Sequence, residues 1–460
     1  MFGLFKPKPP ISVTWKVWTE QRMQWLAERL GARRILAAPV LLPTDEFFPG
    51  EFNGEAVDAQ RLLGQLGEHL KINTSRLKIE VGDDERTEGA AILFDNSGEQ
   101  TTLYMHESIA GNRQKLLDNF SRILAYEALF REGQLTSQES DAELVRELFP
   151  VFLGAGLLSA NGTTAKSCRG GGSGGTWRWW NIGGQTQLPP HAKGYALALF
   201  AWVRRDEGSS WLQQVSTEVA DVMSDSLRYL KKTEDSLFTP DNVGVAPTPS
   251  TLSGLIRQLE QGSDSSKVAA LWELAEMGSK ACEAAAPVAK LLHHRLPEIR
   301  GEAVKTLGQL EEVGAAQIDG LFDALEDRDE RVRANAALAV AMLRPDPART
   351  LPILEDLLEI RTPEVTTAVC ATFASYGRDA EASTKPVFAA YRRAVVECQY
   401  AVIELIAGTL LCIHENPEQY ADDLFGEHDD DLRENALNAL QAAREGQPAA
   451  SAQADGCGNC

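Results

Sequence analysis

The stretch Asp329-Glu-Arg-Val-Arg-Ala-Asn-Ala-Ala-Leu-Ala339 decides how half of this chain is read. An acidic residue opens it, a β-branched residue follows three positions later, and an Ala/Leu run with helical spacing comes next. The same pattern returns at Lys267-Val268, Glu298-Ile299-Arg300, Glu364-Val365, Glu397-Cys398 and Asp431-Leu432-Arg433. Taking Val268, Ile299, Val332, Val365, Cys398 and Leu432 as equivalent anchors, the intervals are 31, 33, 33, 33 and 34 residues. A plain helical bundle has no reason to keep so constant a period.

Between most anchors lies a second amphipathic run, as at 318–325 and 351–358. Neither helix of such a pair can bury its apolar face alone, so stacked neighbours create the core, and small alanines let the helices approach closely. The expectation is an all-α two-helix repeat solenoid over 251–444. The pattern Asp/Pro-x-x-Val/Ile-Arg before an Ala/Leu helix, carried best by Pro297-Glu-Ile-Arg-Gly-Glu-Ala-Val304 and by Asp329–Ala336, resembles the HEAT-like repeats first noted in phycobilin lyases. Thr366 and Gln399 replace the arginine in two units. The resemblance covers about 200 residues and implies a binding scaffold in most relatives and a lyase in a few. It also implies that Arg300, Arg333 and Arg433 space the stack from within.

Upstream, the text changes character. Residues 1–10 are a Pro-rich basic lead-in. From 11 to 232 the pattern is mixed, which predicts an α+β domain. Strand signals fall at 12–15, 77–81, 91–94 and 101–105, and helical periodicity at 20–30, 54–70, 112–130, 141–158, 194–204 and 210–230. The Pro-rich stretch 233–250 reads as a linker and 445–460 as a disordered tail.

The order of strands, a long helix at 112–130 and another helix from about 141 resembles small zinc-metallopeptidase domains of uncharacterised bacterial proteins, over roughly residues 75–211. In those, His-Glu-x-x-His on one helix holds Zn²⁺ and a later helix supplies the third ligand. Here the motif falls on Tyr126-Glu127-Ala-Leu-Phe130. Glu127 stands at the general base, Tyr126 and Phe130 stand at the two histidines, and Glu143 (or Asp141 or Glu147) at the third ligand. Phenylalanine coordinates no metal, and tyrosine with one carboxylate is not a zinc set. The resemblance therefore implies a vestigial site, or else Tyr126 and Phe130 are core aromatics. Both readings deny peptidase activity.

No phosphate loop or nucleophile elbow occurs, and the seven histidines have no ligand spacing. His293 and His294 sit at a repeat turn and read as solvated. Trp177, Trp179 and Trp180, beside the glycine run 170–175, could form a stacking surface for a sugar, a peptide or an aromatic ring, or could cover the domain's own core. Cys457 and Cys460 form a Cys-x-x-Cys on the tail, readable as a weak metal pair or a redox handle. Cys282, Cys370, Cys398 and Cys412 read as small core residues.

The net charge is −21. Of this about −14 lies between 247 and 444, where 33 Asp/Glu face 19 Lys/Arg. Such a field repels phosphate backbones, so no nucleic-acid partner is expected; the acid either solvates the surface or recruits basic partners. No apolar run approaches the ~20 residues that span a bilayer, and no signal-peptide pattern opens the chain, so the expectation is cytoplasmic, with no cofactor. Three functions follow in order. First comes a non-catalytic protein-protein scaffold with a pseudo-metallopeptidase domain and an unidentified protein partner. Next is a modifying enzyme of the bilin-lyase kind. Last is a residual metal-dependent hydrolase using Glu127, Glu143 and a distant histidine such as His106.

Overall fold

The computed structural model describes residues 8–82, 92–95, 100–131, 133–136, 139–160, 188–206, 209–248, 250–311, 315–360, 362–425 and 429–445. The chain divides into two compact units, residues 1–248 and 249–460.

The first unit opens with α1 (Val13–Leu30) and α2 (Ala32–Leu36), then α3 (Ala56–Leu70). Three strands follow: β1 (Leu77–Gly82), β2 (Ile92–Asp95) and β3 (Thr101–His106). β3 is central, parallel to β1 and antiparallel to β2. The strand expected at 12–15 is helical. Ser12 accepts the Trp15 N–H at 3.4 Å and caps α1, and burial of Val13, Val17 and Trp18 overrides the strand preference of the local text.

After α4 (Glu107–Ala110) comes α5 (Arg113–Tyr126), capped by Asn112, whose side chain accepts from the Lys115 N–H at 3.0 Å. Its end widens into a π-turn, Glu127–Arg131. Then come α6 (Ala142–Phe152), α7 (Gly156–Ala160), α8 (Pro190–Val203) and α9 (Thr217–Thr233). α8 is buried on every side from Ala192 to Val203, as expected of a central helix without a polar face.

The expected linker at 233–250 is instead part of the first unit as far as 248. Phe238 is fully buried, the Leu237 N–H donates to Glu20 at 2.9 Å, and Gln24 donates to the Val245 carbonyl at 2.6 Å. Phe238 supplies apolar burial that a loose, Pro-rich linker would lack.

Among the described residues the second unit is a helical repeat stack of six helix pairs. They are α10 (Leu252–Gln261) with α11 (Asp264–Met277), α12 (Ala285–Lys290) with α13 (Pro297–Gln309), and α14 (Ala315–Leu325) with α15 (Glu330–Leu343). The remaining three are α16 (Pro347–Leu358) with α17 (Pro363–Tyr376), α18 (Thr384–Val396) with α19 (Tyr400–Ile413), and α20 (Pro417–Phe425) with α21 (Asp430–Glu445). The second helices of the pairs form one closely packed layer. Gly308 is one reason: a Cβ there would stand 2.9 Å from Ala339 Cα.

Buried threonines fix the register of that layer. Thr306 donates to the Leu271 carbonyl at 3.1 Å, Thr372 to Ala337 at 2.8 Å and Thr409 to Cys370 at 3.2 Å. The first two pairs are 35 residues apart and the third 39. This corrects two anchors. The fifth is Val402, which is buried, whereas Cys398 is exposed in a turn at φ 54°. The first is Ser266, two residues before the buried Val268. The repeat is therefore 33 residues three times, then 37, then 30. Cys412 is also exposed, so only Cys370 of the expected core cysteines is fully buried. Among the described residues no helix is long and apolar enough to cross a membrane.

Candidate functional site

In the first unit the residues aligned with a zinc site do not assemble one. Tyr126 and Phe130 stack, with ring centroids 5.1 Å apart and planes 19° from parallel. Glu127 is buried and lies 3.8 Å from Arg131, on the π-turn. Glu143 is half exposed and pairs with its neighbour Arg146 on α6. The alternative third ligands are committed elsewhere. Asp141 accepts from the Trp18 indole and from two nitrogens of Arg22, each at 2.7 Å. Glu147 is held by Arg122 at 3.3 Å and Lys193 at 3.1 Å. Among the described residues no group of three His, Cys, Asp or Glu side chains converges, so Glu127, Glu143 and His106 form no ligand set. The geometry gives the peptidase resemblance no support.

What the sequence hid in this unit is a pair of buried charge networks. One joins Lys16 to Glu20 at 3.1 Å, both with fully buried side chains. Tyr195 of α8 donates its hydroxyl to the same carboxylate at 2.5 Å, and Asp235 stands 3.7 Å from Lys16. Burial, then the Glu20 charge and hydrogen bond, hold the Tyr195 phenol well above its ordinary range. The other network joins Asp118, Arg122, Glu147 and Lys193. There burial raises the Asp118 carboxyl despite the opposing charges of Arg122 and Lys193. In the second network two cations face two carboxylates; in the first Lys16 serves buried Glu20 and the part-exposed Asp235, and such pairing is the condition for burying the charges. The i,i+4 spacings of Lys16/Glu20 and Asp118/Arg122 were the available signal, but that spacing is more usual on solvated helix faces.

An open cleft of about 520 Å³ also belongs to this unit, lined by Trp202, Arg205, Lys231, Glu234, Pro240 and Asp241. Arg205 and Glu234 both have left-handed backbone there, at φ 58° and 53°. Its lining mixes both charge signs.

The second unit carries a different kind of surface. Arg300 is nearly buried and grips Asp327 with two hydrogen bonds of 2.7 Å, while its third nitrogen reaches the His294 carbonyl at 3.0 Å. Arg333 donates to the Asp327 carbonyl at 2.7 Å, and Arg433 lies 3.6 Å from Asp422. Arg300 and Arg333 tie the turn at Asp327 to α13 and α15, and Arg433 joins α21 to α20. Burial raises the Asp327 carboxyl, but the Arg300 hydrogen bonds, the Asp329 N–H and the Arg300 and Arg328 charges outweigh it and hold the group below its ordinary value. His293 is exposed, whereas His294 is part-buried: its ring accepts from the Leu296 N–H at 3.2 Å and lies 3.5 Å from Asp264. Across the layer, Trp272 donates to Glu302 at 2.9 Å and Asn335 to the Gly301 carbonyl at 3.4 Å.

The outward face of this layer follows from the register. Threonine positions point between helices, so the residues one before and three after them point out. On α15, α17 and α19 these are Leu338, Ala371 and Gly408, then Met342, Ser375 and Cys412. The tryptophans Trp177, Trp179 and Trp180 and the tail pair Cys457 and Cys460 lie outside the described residues.

No protein-family model matches the chain, and no curated protein does. Solved structures give faint likenesses. An engineered protein is 18% identical over 43% of this chain and 97% of its own, with a TM-score of 0.31. A designed armadillo repeat protein is 18% identical over 42% of this chain and all of its own, with a TM-score of 0.28. Computationally designed armadillo repeat proteins for modular peptide recognition are 20% identical over 43% and all of theirs, again at 0.28. The helical repeats stand on this chain's own helix pairs and threonine bonds, not on those likenesses.

Proposed function

We propose that the chain is a non-catalytic scaffold whose HEAT-like repeats hold another protein. The observation that carries this reading is the stacked layer itself. It repeats one helix face six times, locks it in register with buried threonines, and leaves an outward row of side chains available to a long partner. Two helices per unit and the Arg300 and Arg333 contacts favour the HEAT-like description. In the first unit the polar residues best placed for chemistry are already spent on each other, which favours a recognition or packing role over catalysis.

The test is affinity capture from a lysate with the full chain and with residues 1–248. The scaffold reading expects a set of proteins retained by the full chain and lost from the shorter one. Equal recovery by both would overturn it.

A further inference from the structure

We infer that the outward face of α15, α17, α19 and α21 is a groove for an extended peptide segment that carries lysine or arginine among apolar residues. This rests on the scaffold reading above and names its partner's chemistry and place.

On α15, α17 and α19 the floor is mainly apolar, with Ser375 and Cys412 at its edge. Leu338 and Met342 come from α15, Ala371 and Ala374 from α17, Gly408 and Leu411 from α19. All are at least partly accessible, and Met342 is 46% exposed, a high value for a long thioether with no charge to solvate it. A Cβ built on Gly408 meets nothing within 4 Å, so the middle of the floor is open space.

The rim is acidic. Glu364 on α17, Glu404 on α19 and Glu434 on α21 are exposed. They sit toward the N-terminal ends of their helices, beside the apolar floor. From 401 to 445 the chain has 11 Asp/Glu against two Lys/Arg. On α15 the rim changes sign, with exposed Arg331 at the position that Glu364 takes on α17, which bounds the acidic part at α17. Charge complementarity therefore selects a basic occupant, and the floor selects apolar side chains between its charges.

The dimensions fit an extended chain. Neighbouring helices in a layer lie about 8–10 Å apart, so four helices span roughly 30 Å. At about 3.3 Å per extended residue, that is roughly nine residues.

The experiment uses the full chain and a fluorescein-labelled peptide of twelve residues alternating lysine and leucine, with binding read by anisotropy. Gly408→Arg is the first variant, because the open space lets its side chain project without disturbing the helix; a circular-dichroism melt matching wild type confirms that. Glu364→Lys with Glu404→Lys is the second. Asp323→Lys with Asp356→Lys, two exposed positions on α14 and α16 that change the net charge equally, is the control. The expected result is saturable binding that salt weakens. Gly408→Arg and the Glu364/Glu404 pair should each lose about tenfold or more in affinity, and the control pair less than threefold.

Four results would overturn the inference: no saturable binding, equal loss in the control pair, an all-lysine peptide binding as tightly, or a dimer of the chain that Gly408→Arg dissolves. None of them touches the capture experiment with residues 1–248, which decides the scaffold reading by itself.

Discussion

Thr409 donates its hydroxyl to the carbonyl of Cys370, 39 residues earlier, in the arrangement that Thr372 makes with Ala337 only 35 residues earlier. The bond keeps its place although four residues have been added between its ends. Register in this layer is thus set by buried contacts between helices, and the count of residues around the outside is free to vary. Stability should follow the same division.

Two glycines test it. Gly308→Ala places a methyl 2.9 Å from the Ala339 backbone and should cost about 1–3 kcal/mol. Gly408→Ala meets nothing within 4 Å and sits inside a helix, so it should stabilise by about 0.5–1 kcal/mol. Urea denaturation of both variants reads the difference; shifts of the same sign would contradict the packing described.

The Arg300–Asp327 bond should give stability a carboxylate signature. Because the folded Asp327 carboxyl is held below its ordinary value, its contribution is present above the unfolded pKa, about 3.9, and is lost as pH falls through the folded value. Asp327→Asn should therefore cost about 1–3 kcal/mol at neutral pH and converge on wild type in acid. Parallel stability curves from pH 7 to pH 2 would refute the assignment.

Glu20 binds three separate groups from inside the core: the Lys16 ammonium, the Tyr195 hydroxyl and the Leu237 N–H. Removing it leaves a buried ammonium without its main partner, so Glu20→Ala should lose about 3–5 kcal/mol. Limited proteolysis should then cut faster within 234–244, where Phe238 and Val243 are buried in the wild type. An unchanged cleavage pattern would mean that this segment is held by apolar packing alone.

Thiol chemistry should sort the cysteines by burial. Burial pushes the Cys370 thiol up to about 12, leaving almost no thiolate at neutral pH. Iodoacetamide should label Cys398 and Cys412 in the folded protein and Cys370 only after denaturation. Mass spectrometry of the peptides checks it, and early labelling of Cys370 would place it nearer the surface.

Much of the architecture was legible because repetition amplifies weak signals. Ile299, Val332, Val365 and Leu432 occupy equivalent buried positions as their spacing suggested, and the three strands near 77–105 lie close to where alternation put them. Cys398 misled because the period was assumed constant. The phase of Val402, Ile406 and Leu410, together with Thr409 echoing Thr372, carried the true register. Ser12 was a helix cap read as a strand start. Lys193 could not be recognised as a core residue, since its carboxylate partner Glu147 is distant in sequence, and Lys16 was disguised because its i,i+4 pair with Glu20 looks like one on a solvated helix face. Glu143 and Glu127 were joined by a motif from another kind of site; the chain itself gives each a local arginine instead.

The corner between α17 and α18 absorbs the four additional residues, running over 377–383 where the corner between α15 and α16 takes only 344–346, and it leaves Arg378 and Asp379 exposed. A stack whose turns can lengthen while its inner bonds stay fixed can acquire new outward groups one insertion at a time. Its recognition surface can thus diverge faster than its core, and descendants of such a protein would differ most at their corners.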